Sequence, residues 1–159
     1  MRRVLFVCTG NIFRSLTAEY ALRRMLGADS PVHVSSAGTE DFPHVVKPVV
    51  RDYLLAHGLD VREHRRRTLT DPILRESNIV IAMNDDHQAF IRDRFGLAVP
   101  MFTEVCGLRA QPLPDVEDVI ADHASNPAAV AAHVRKTIDR IIELTPQLAA
   151  QLRLSPPTA

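Results

Sequence analysis

Cysteine is scarce: the chain of 159 residues holds only Cys8 and Cys106, with no C-x-x-C pair. Two thiols cannot build the disulfide framework of a small secreted domain, so a reducing, cytoplasmic setting is expected. Net charge is absent too. The 19 Lys and Arg balance 19 Asp and Glu, mixed along the chain, which argues against the broad basic footprint of a nucleic-acid-binding protein. No run approaches the roughly 20 apolar residues of a membrane helix. The apolar stretch after Met1-Arg2-Arg3 reaches Cys8-Thr9-Gly10 too soon for a signal peptide. The histidines show no metal-ligand spacing, so no metal and no other cofactor is expected. No internal repeat or Gly/Ser-rich linker divides the chain, and residues 1–154 read as one domain followed by a disordered tail, 155–159.

What is present is an alternation. Val4-Leu5-Phe6-Val7 is a continuous apolar run ended by a glycine-containing turn, as in a strand buried on both faces. A helix follows from Ser15, with Ala18, Ala21, Leu22, Met25 and Leu26 at helical spacing and Gly27 as its stop. Val32 to Ser36 and Asn78 to Met83 read as further strands, and Pro48 to His57 and Asp85 to Phe95 as helices. Val99-Pro100-Met101-Phe102 reads as a fourth strand, confined to an edge by its proline. Asn126-Pro127 opens a last helix striped with Val130, Val134, Ile138, Ile141, Ile142 and Leu148. The expected fold is therefore α/β: one three-layer domain, a four-stranded parallel sheet with helices on both faces joined by right-handed crossovers. Such sheets bind ligands at the carboxyl ends of their strands, where Cys8 lies.

Cys8 and Arg14 are separated by five residues, Thr9, Gly10, Asn11, Ile12 and Phe13, between the first strand and the first helix. A tight loop entering a helix gathers backbone N–H groups around one point, a ready cradle for an anion, and Gly10 supplies unusual backbone angles. A guanidinium at Arg14 holds two phosphate oxygens in its planar fork. A Cys8 thiolate at that focus is a competent nucleophile for in-line attack on phosphorus. Ser15 has two compatible readings: helix cap, or hydrogen-bond donor to the sulfur. The loop has no Walker lysine and no G-x-G-x-x-G.

Val7-Cys8-Thr9-Gly10-Asn11-Ile12-Phe13-Arg14-Ser15 resembles the N-terminal signature loop of the low-molecular-weight protein tyrosine phosphatases. Thr17-Ala18-Glu19, Ser36-Ala37-Gly38-Thr39, His57-Gly58 with His64, and Ala82-Met83 extend the resemblance in the family's order. The resemblance implies a phosphomonoester hydrolase acting on phosphotyrosine-like groups of proteins or small molecules. Cys8 is then the nucleophile and Arg14 the phosphate ligand. Thr9 to Phe13 and Ser15 cradle substrate, and Asn11 holds the loop through contacts involving Ser36 and His64. Taken singly, Asn11 also suits a left-handed turn, Ser36 a strand end, and His64 an ordinary surface or core site.

The family's acid lies in a late Asp-Pro pair, absent here. Asp115 in Leu113-Pro114-Asp115-Val116-Glu117-Asp118 aligns best, with Asp118 as runner-up, and each also reads as a capping or solvated acid. Asp71-Pro72 reads as a helix start. The aromatics that follow the family's acid are missing too, leaving Phe13, Phe42 and His44 to wall the substrate. Arg65-Arg66-Arg67 reads as a solvated surface or as a contact for acidic substrates. Phe13 stands where relatives often carry a second, protective cysteine, and Cys106 reads as a buried structural thiol. Two other functions use such a loop. An arsenate reductase needs further cysteines, and a phosphocysteine carrier passes the phosphoryl group on rather than to water.

Overall fold

The computed structural model describes residues 1–154; the tail expected at 155–159 lies outside the described residues. Three strands, β1 (Arg2–Cys8), β2 (Val32–Gly38) and β3 (Ile79–Ala82), form a parallel sheet in the order β2-β1-β3. β1 pairs with β2 from Arg2↔Val32 to Cys8↔Gly38, and with β3 from Val4↔Ile79 to Val7↔Ala82. Being central, β1 is apolar on both faces, which is why its sequence shows no alternation. Val4 and Phe6 pack with Leu22 and Leu26 of α1 (Arg14–Leu26) and Ile141 and Leu148 of α7 (Pro127–Gln151). Leu5 and Val7 pack on the opposite face with Leu74 of α3 (Asp71–Arg75) and Ile91 of α4 (Asp85–Phe95). Helices thus cover both faces of the sheet.

The sheet has three strands among the described residues, not four. Ala82 N donates to the Pro100 carbonyl at 3.0 Å and bridges Met101, but pairing stops there. Pro100 has no N–H to continue a ladder. The Glu104 carboxylate then takes the Met101 N–H at 2.7 Å and turns the chain into α5 (Phe102–Val105). Strand-like composition at Val99 to Phe102 is overridden by that cap.

Helix α7 starts as its sequence indicates: Asn126 Oδ1 accepts the Ala129 N–H at 3.1 Å, and Pro127 occupies the first turn. Its buried stripe of Val134, Ile138, Ile141 and Leu148 lies against α1, and α2 (Pro48–Ala56) packs against it. Asp71 begins α3, exposed and paired with Arg75 at 2.6 Å. Among the described residues no helix is long and apolar enough to cross a membrane. The chain leaves β1 toward β2 and later returns to the other side of β1 to form β3. The carboxyl end of β1, where Cys8 ends the strand, is therefore the switch point at which open α/β sheets form clefts.

Candidate active site

Loop carbonyls define the site first. Thr39 N–H donates to Cys8 O (2.9 Å), Glu40 N–H to Thr9 O (3.1 Å) and Thr17 N–H to Phe13 O (2.9 Å). Arg66 Nε donates to Gly10 O at 3.1 Å and His64 Nε2 to Asn11 O at 2.9 Å. Because a trans peptide sets its N–H opposite its C=O, carbonyls drawn outward leave the amides facing the loop's centre. The backbone angles differ from expectation at one point. The left-handed residue is Asn11, φ 57°, and Gly10 is not in that region. Gly10 is instead a matter of room, since a Cβ there would sit 3.3 Å from Ile12 Cγ1 and 3.4 Å from the His44 ring.

Asn11 is fully buried and both readings of it hold, since it makes the turn and ties the loop down. Its Nδ2 donates to Ser15 Oγ (3.0 Å) and Ser36 Oγ (2.7 Å), and its Oδ1 accepts the Arg67 N–H (2.9 Å). Ser36 donates a hydrogen bond to the buried Glu19 carboxylate, which Arg23 also holds at 2.6 Å. Ser15 accepts from Asn11, so its own proton is free for Cys8 Sγ, 2.9 Å away. It does not cap α1: the helix begins at Arg14, with Phe13 at the cap position and no side-chain cap bond. Burial lowers the pKa of His64, against the contrary pull of its bond to the Asn11 carbonyl, and Tyr20 covers its ring at 5.9 Å. Arg66 and Arg67 brace the loop, Arg67 Nε also reaching Ser36 O at 3.2 Å, while Arg65 is exposed.

Arg14 is 1% exposed. Nη1 donates to Leu113 O (2.9 Å), and Nη2 to Asp115 Oδ2 (2.7 Å) and, more weakly, to Thr9 Oγ1 (3.4 Å). Its Nε is buried with no partner, an uncommon condition for so polar a donor. Asp115 is the N-cap of α6 (Val116–Val119), its Oδ1 accepting the Val116 N–H at 2.9 Å. Asp118 accepts the Asp115 N–H at 2.8 Å and so braces Asp115 from behind. His133 Nε2 donates to Pro114 O at 2.9 Å, anchoring this segment on α7.

Cys8, Thr9, Gly10, Ile12, Phe13, Arg14 and Asp115 line one cleft of about 410 Å³. Of the expected aromatic wall, Phe13 and His44 line it, whereas Phe42 is 60% exposed and stacks on His44 outside it. Val49, Val116 and Val130 are among its other lining residues, with the charged Lys47 and Glu117. No sequence motif marks these residues, because three separate elements bring them together. Cys106 is buried in the core with Sγ toward Leu144 O, and burial pushes its thiol up to about 11.

Two further residues matter here. Gly38 ends β2 against the loop, and a Cβ there would sit 2.5 Å from Thr9 O and 3.1 Å from Asn11 N, both backbone atoms. Overpacking of this kind costs about 1–3 kcal/mol. Gly38→Ala should therefore lower the thermal midpoint by roughly 3–10 °C and weaken phosphate binding, more than Gly10→Ala does. Thermal melts and phosphate titration of both variants check this.

His87, from the first turn of α4, lies beneath the loop, 1% exposed, with Nε2 2.9 Å from Thr9 Oγ1. Its pKa is lowered to about 3, by burial first and then by Arg14, with Asp115, Asp118 and Asp85 opposing. The unfolded chain takes up this proton near pH 6.5 and the folded chain only near 3. Stability from this group is thus complete above about pH 6.5 and is lost as pH falls toward 3, by about 1.4 kcal/mol per unit. Urea unfolding between pH 7 and 4.5 should show a shallower decline for His87→Gln than for the native chain.

A parallel α/β sheet whose first strand delivers a cysteine into an anion-shaped loop, closed by an arginine, defines a C-x5-R phosphate-loop protein. The chain belongs to the low molecular weight phosphotyrosine protein phosphatase family, whose sequence profile matches residues 3–155. Over 87 residues, 54% of this chain and 57% of the relative, it is 36% identical to the low molecular weight protein-tyrosine-phosphatase Etp of Escherichia coli K12. Over 85 residues, 54% of this chain and 62% of the relative, it is 32% identical to an arsenate reductase of Staphylococcus aureus. These alignments span about 60% of the curated relatives' length. The fold is similar to that of a YwlE mutant from Bacillus subtilis: TM-score 0.79, 25% identity, 96% of this chain and 99% of the other covered. Another YwlE structure, an arginine phosphatase with a phosphorylated active-site serine, gives a TM-score of 0.80 at 25% identity, covering 95% of each chain.

Proposed function

We propose that this chain is a cytoplasmic, cysteine-dependent phosphatase that hydrolyses phosphotyrosine-like monoesters on proteins or small molecules. The observation that carries this reading is the unpartnered Nε of buried Arg14 beside a loop whose Cys8, Thr9, Gly10, Asn11 and Phe13 carbonyls are each engaged by hydrogen bonds. That is a preformed site for a tetrahedral dianion. Phosphate enters with two oxygens on Arg14 Nε and Nη2 and the others on the loop amides, displacing Asp115 from Nη2 toward the leaving oxygen. Cys8 Sγ attacks phosphorus in line, the P–O bond to the leaving group breaks, and Asp115 gives that oxygen its proton. Water then attacks the thiophosphate with Asp115 taking its proton, and Ser15 donates to Sγ as the P–S bond breaks. Asn11, Ser36 and His64 hold the loop in shape throughout.

Arsenate reduction fits less well, because it calls for a thiol relay and Cys106 is directed into the core. A phosphocysteine carrier has no use for an acid beside the loop, and Asp115 stands there. One observation favours a second substrate. Beside Lys47, the cleft lining carries several valines and the carboxylates of Glu117 and Glu40, which suits the guanidinium of a phosphoarginine, and YwlE is an arginine phosphatase. Incubation with para-nitrophenyl phosphate, acid quench and peptide mapping tests the main reading. Release of phosphate with a phosphoryl adduct on the Cys8 peptide is expected, and turnover without such an adduct would overturn it. Paired kcat/KM values on phosphotyrosine and phosphoarginine peptides decide between the substrates.

A further inference from the structure

The cleft contains a contact for which the catalytic cycle has no use. Thr9 Oγ1 receives the Arg14 Nη2 proton on one side and meets His87 Nε2 at 2.9 Å on the other, so Arg14, Thr9 and His87 form a chain from the phosphate site into the core. The direction of the second bond depends on which ring nitrogen of His87 carries the proton. Asp86 Oδ1 lies 3.6 Å from Nδ1, and a carboxylate beside a ring nitrogen favours a proton on that nitrogen. Asn84 Oδ1 and His87 Nδ1 are both buried without a hydrogen-bond partner, so no bond at Nδ1 fixes the tautomer. With the proton on Nδ1, Nε2 is a bare acceptor. An arginine accepts nothing, so in that tautomer the Thr9 hydroxyl keeps its proton for Nε2.

We propose that His87 is a positioning residue of the phosphate site: its Nε2 accepts the Thr9 hydroxyl proton, turning the Thr9 lone pairs onto Arg14 and holding the guanidinium in its phosphate-binding plane. A neutral ring suits this task, since a charged one would carry a proton on Nε2, repel Arg14 and reverse the Thr9 hydroxyl. Burial and the Arg14 charge keep it neutral through the physiological range, against the opposing pull of Asp115, Asp118 and Asp85. The consequence lies in anion binding before it lies in chemistry. Arg14 has one weak and two strong contacts to the protein, and the Thr9 bond, at 3.4 Å, depends on which way the hydroxyl turns. Like the phosphatase reading on which it rests, the proposal treats Arg14 as the phosphate ligand. It is nonetheless testable without turnover.

The test compares His87→Gln, His87→Asn, Thr9→Val and the double variant Thr9→Val/His87→Asn by calorimetric titration with inorganic phosphate, alongside kcat/KM on para-nitrophenyl phosphate. The Gln amide oxygen reaches about where Nε2 sits, whereas Asn reaches only Nδ1. His87→Asn should weaken phosphate binding and kcat/KM by about tenfold, the worth of one buried hydrogen bond, and His87→Gln should restore both to within about threefold of native. In the Thr9→Val background, His87→Asn should have no further effect, because its only route to Arg14 is gone. Additive losses in the double variant, or equal losses for Gln and Asn, would overturn the proposal and leave His87 a packing residue. Native phosphate affinity in His87→Asn would do the same. A chain that binds phosphate with this pattern but never hydrolyses the ester would sink the phosphatase reading and leave the positioning role standing.

Discussion

Cys8→Ser is expected to lower kcat on para-nitrophenyl phosphate by about 10⁴ or more while inorganic phosphate still binds. The smaller serine oxygen adds no bulk to the loop, and Ser15 Oγ, 2.9 Å from the thiol sulfur, can hydrogen-bond either atom. What changes is the nucleophile. A serine hydroxyl must lose its proton during attack and therefore needs a base beside it, whereas a thiolate does not. Among the described residues the cleft carboxylate Asp115 is tied to Arg14, and His64 and His87 are each bound to the loop. The site thus offers an anion cradle without the means to activate an alcohol. Steady-state rates of purified native and variant protein, together with phosphate titration, check both halves of the expectation. A variant retaining a hundredth of native turnover would mean that Cys8 is not the attacking group.

The nucleophile and its arginine were legible because their signal is local. Five residues between Cys8 and Arg14, placed where a buried strand meets a helix, nearly determine a loop of this shape, and the structure places Thr9 to Phe13 in it. Strand β1 was legible for a related reason: a central parallel strand is apolar at every position, and Val4 to Val7 says so. Failures came where tertiary partners overrule local preference. Val99 to Phe102 has strand composition, yet the Glu104 carboxylate captures the Met101 N–H and makes a helix. Ser15 has the chemistry of a cap but lies inside α1, facing Cys8. Gly10 looked like the flexible point, while Asn11 takes the left-handed turn because its side chain is claimed by Ser15, Ser36 and Arg67. Arg66 and Arg67, a bland charge run in sequence, are part of the loop's scaffold. His87 carried no signal at all, for a histidine in an amphipathic helix is indistinguishable from any other until Thr9 is placed over it.

The acid is the member of the site whose identity the sequence left open between two residues, and in the structure the two carboxylates have different partners. Asp115 Oδ2 points at Arg14 within the cleft, while the Asp118 carboxylate is spent on the Asp115 backbone. Asp115→Asn should therefore lower kcat/KM on phenyl phosphate by about 10²–10⁴, the usual contribution of a positioned proton donor. On a dinitrophenyl ester, whose leaving oxygen departs without a proton, the same variant should lose less than about tenfold. That contrast separates proton donation from any weakening of Arg14, because a disturbed arginine would slow both esters alike. Asp118→Asn should slow both by the same few-fold factor, since it loosens a cap without touching the leaving group. The missing Asp-Pro pair has a structural consequence consistent with this division. With Val116 following Asp115, the backbone N–H of Val116 is available, and Asp115 Oδ1 accepts it at 2.9 Å, leaving Oδ2 as the oxygen that faces the cleft. Val116→Pro removes that internal bond and should loosen Asp115, lowering the rate on phenyl phosphate more than on the dinitrophenyl ester.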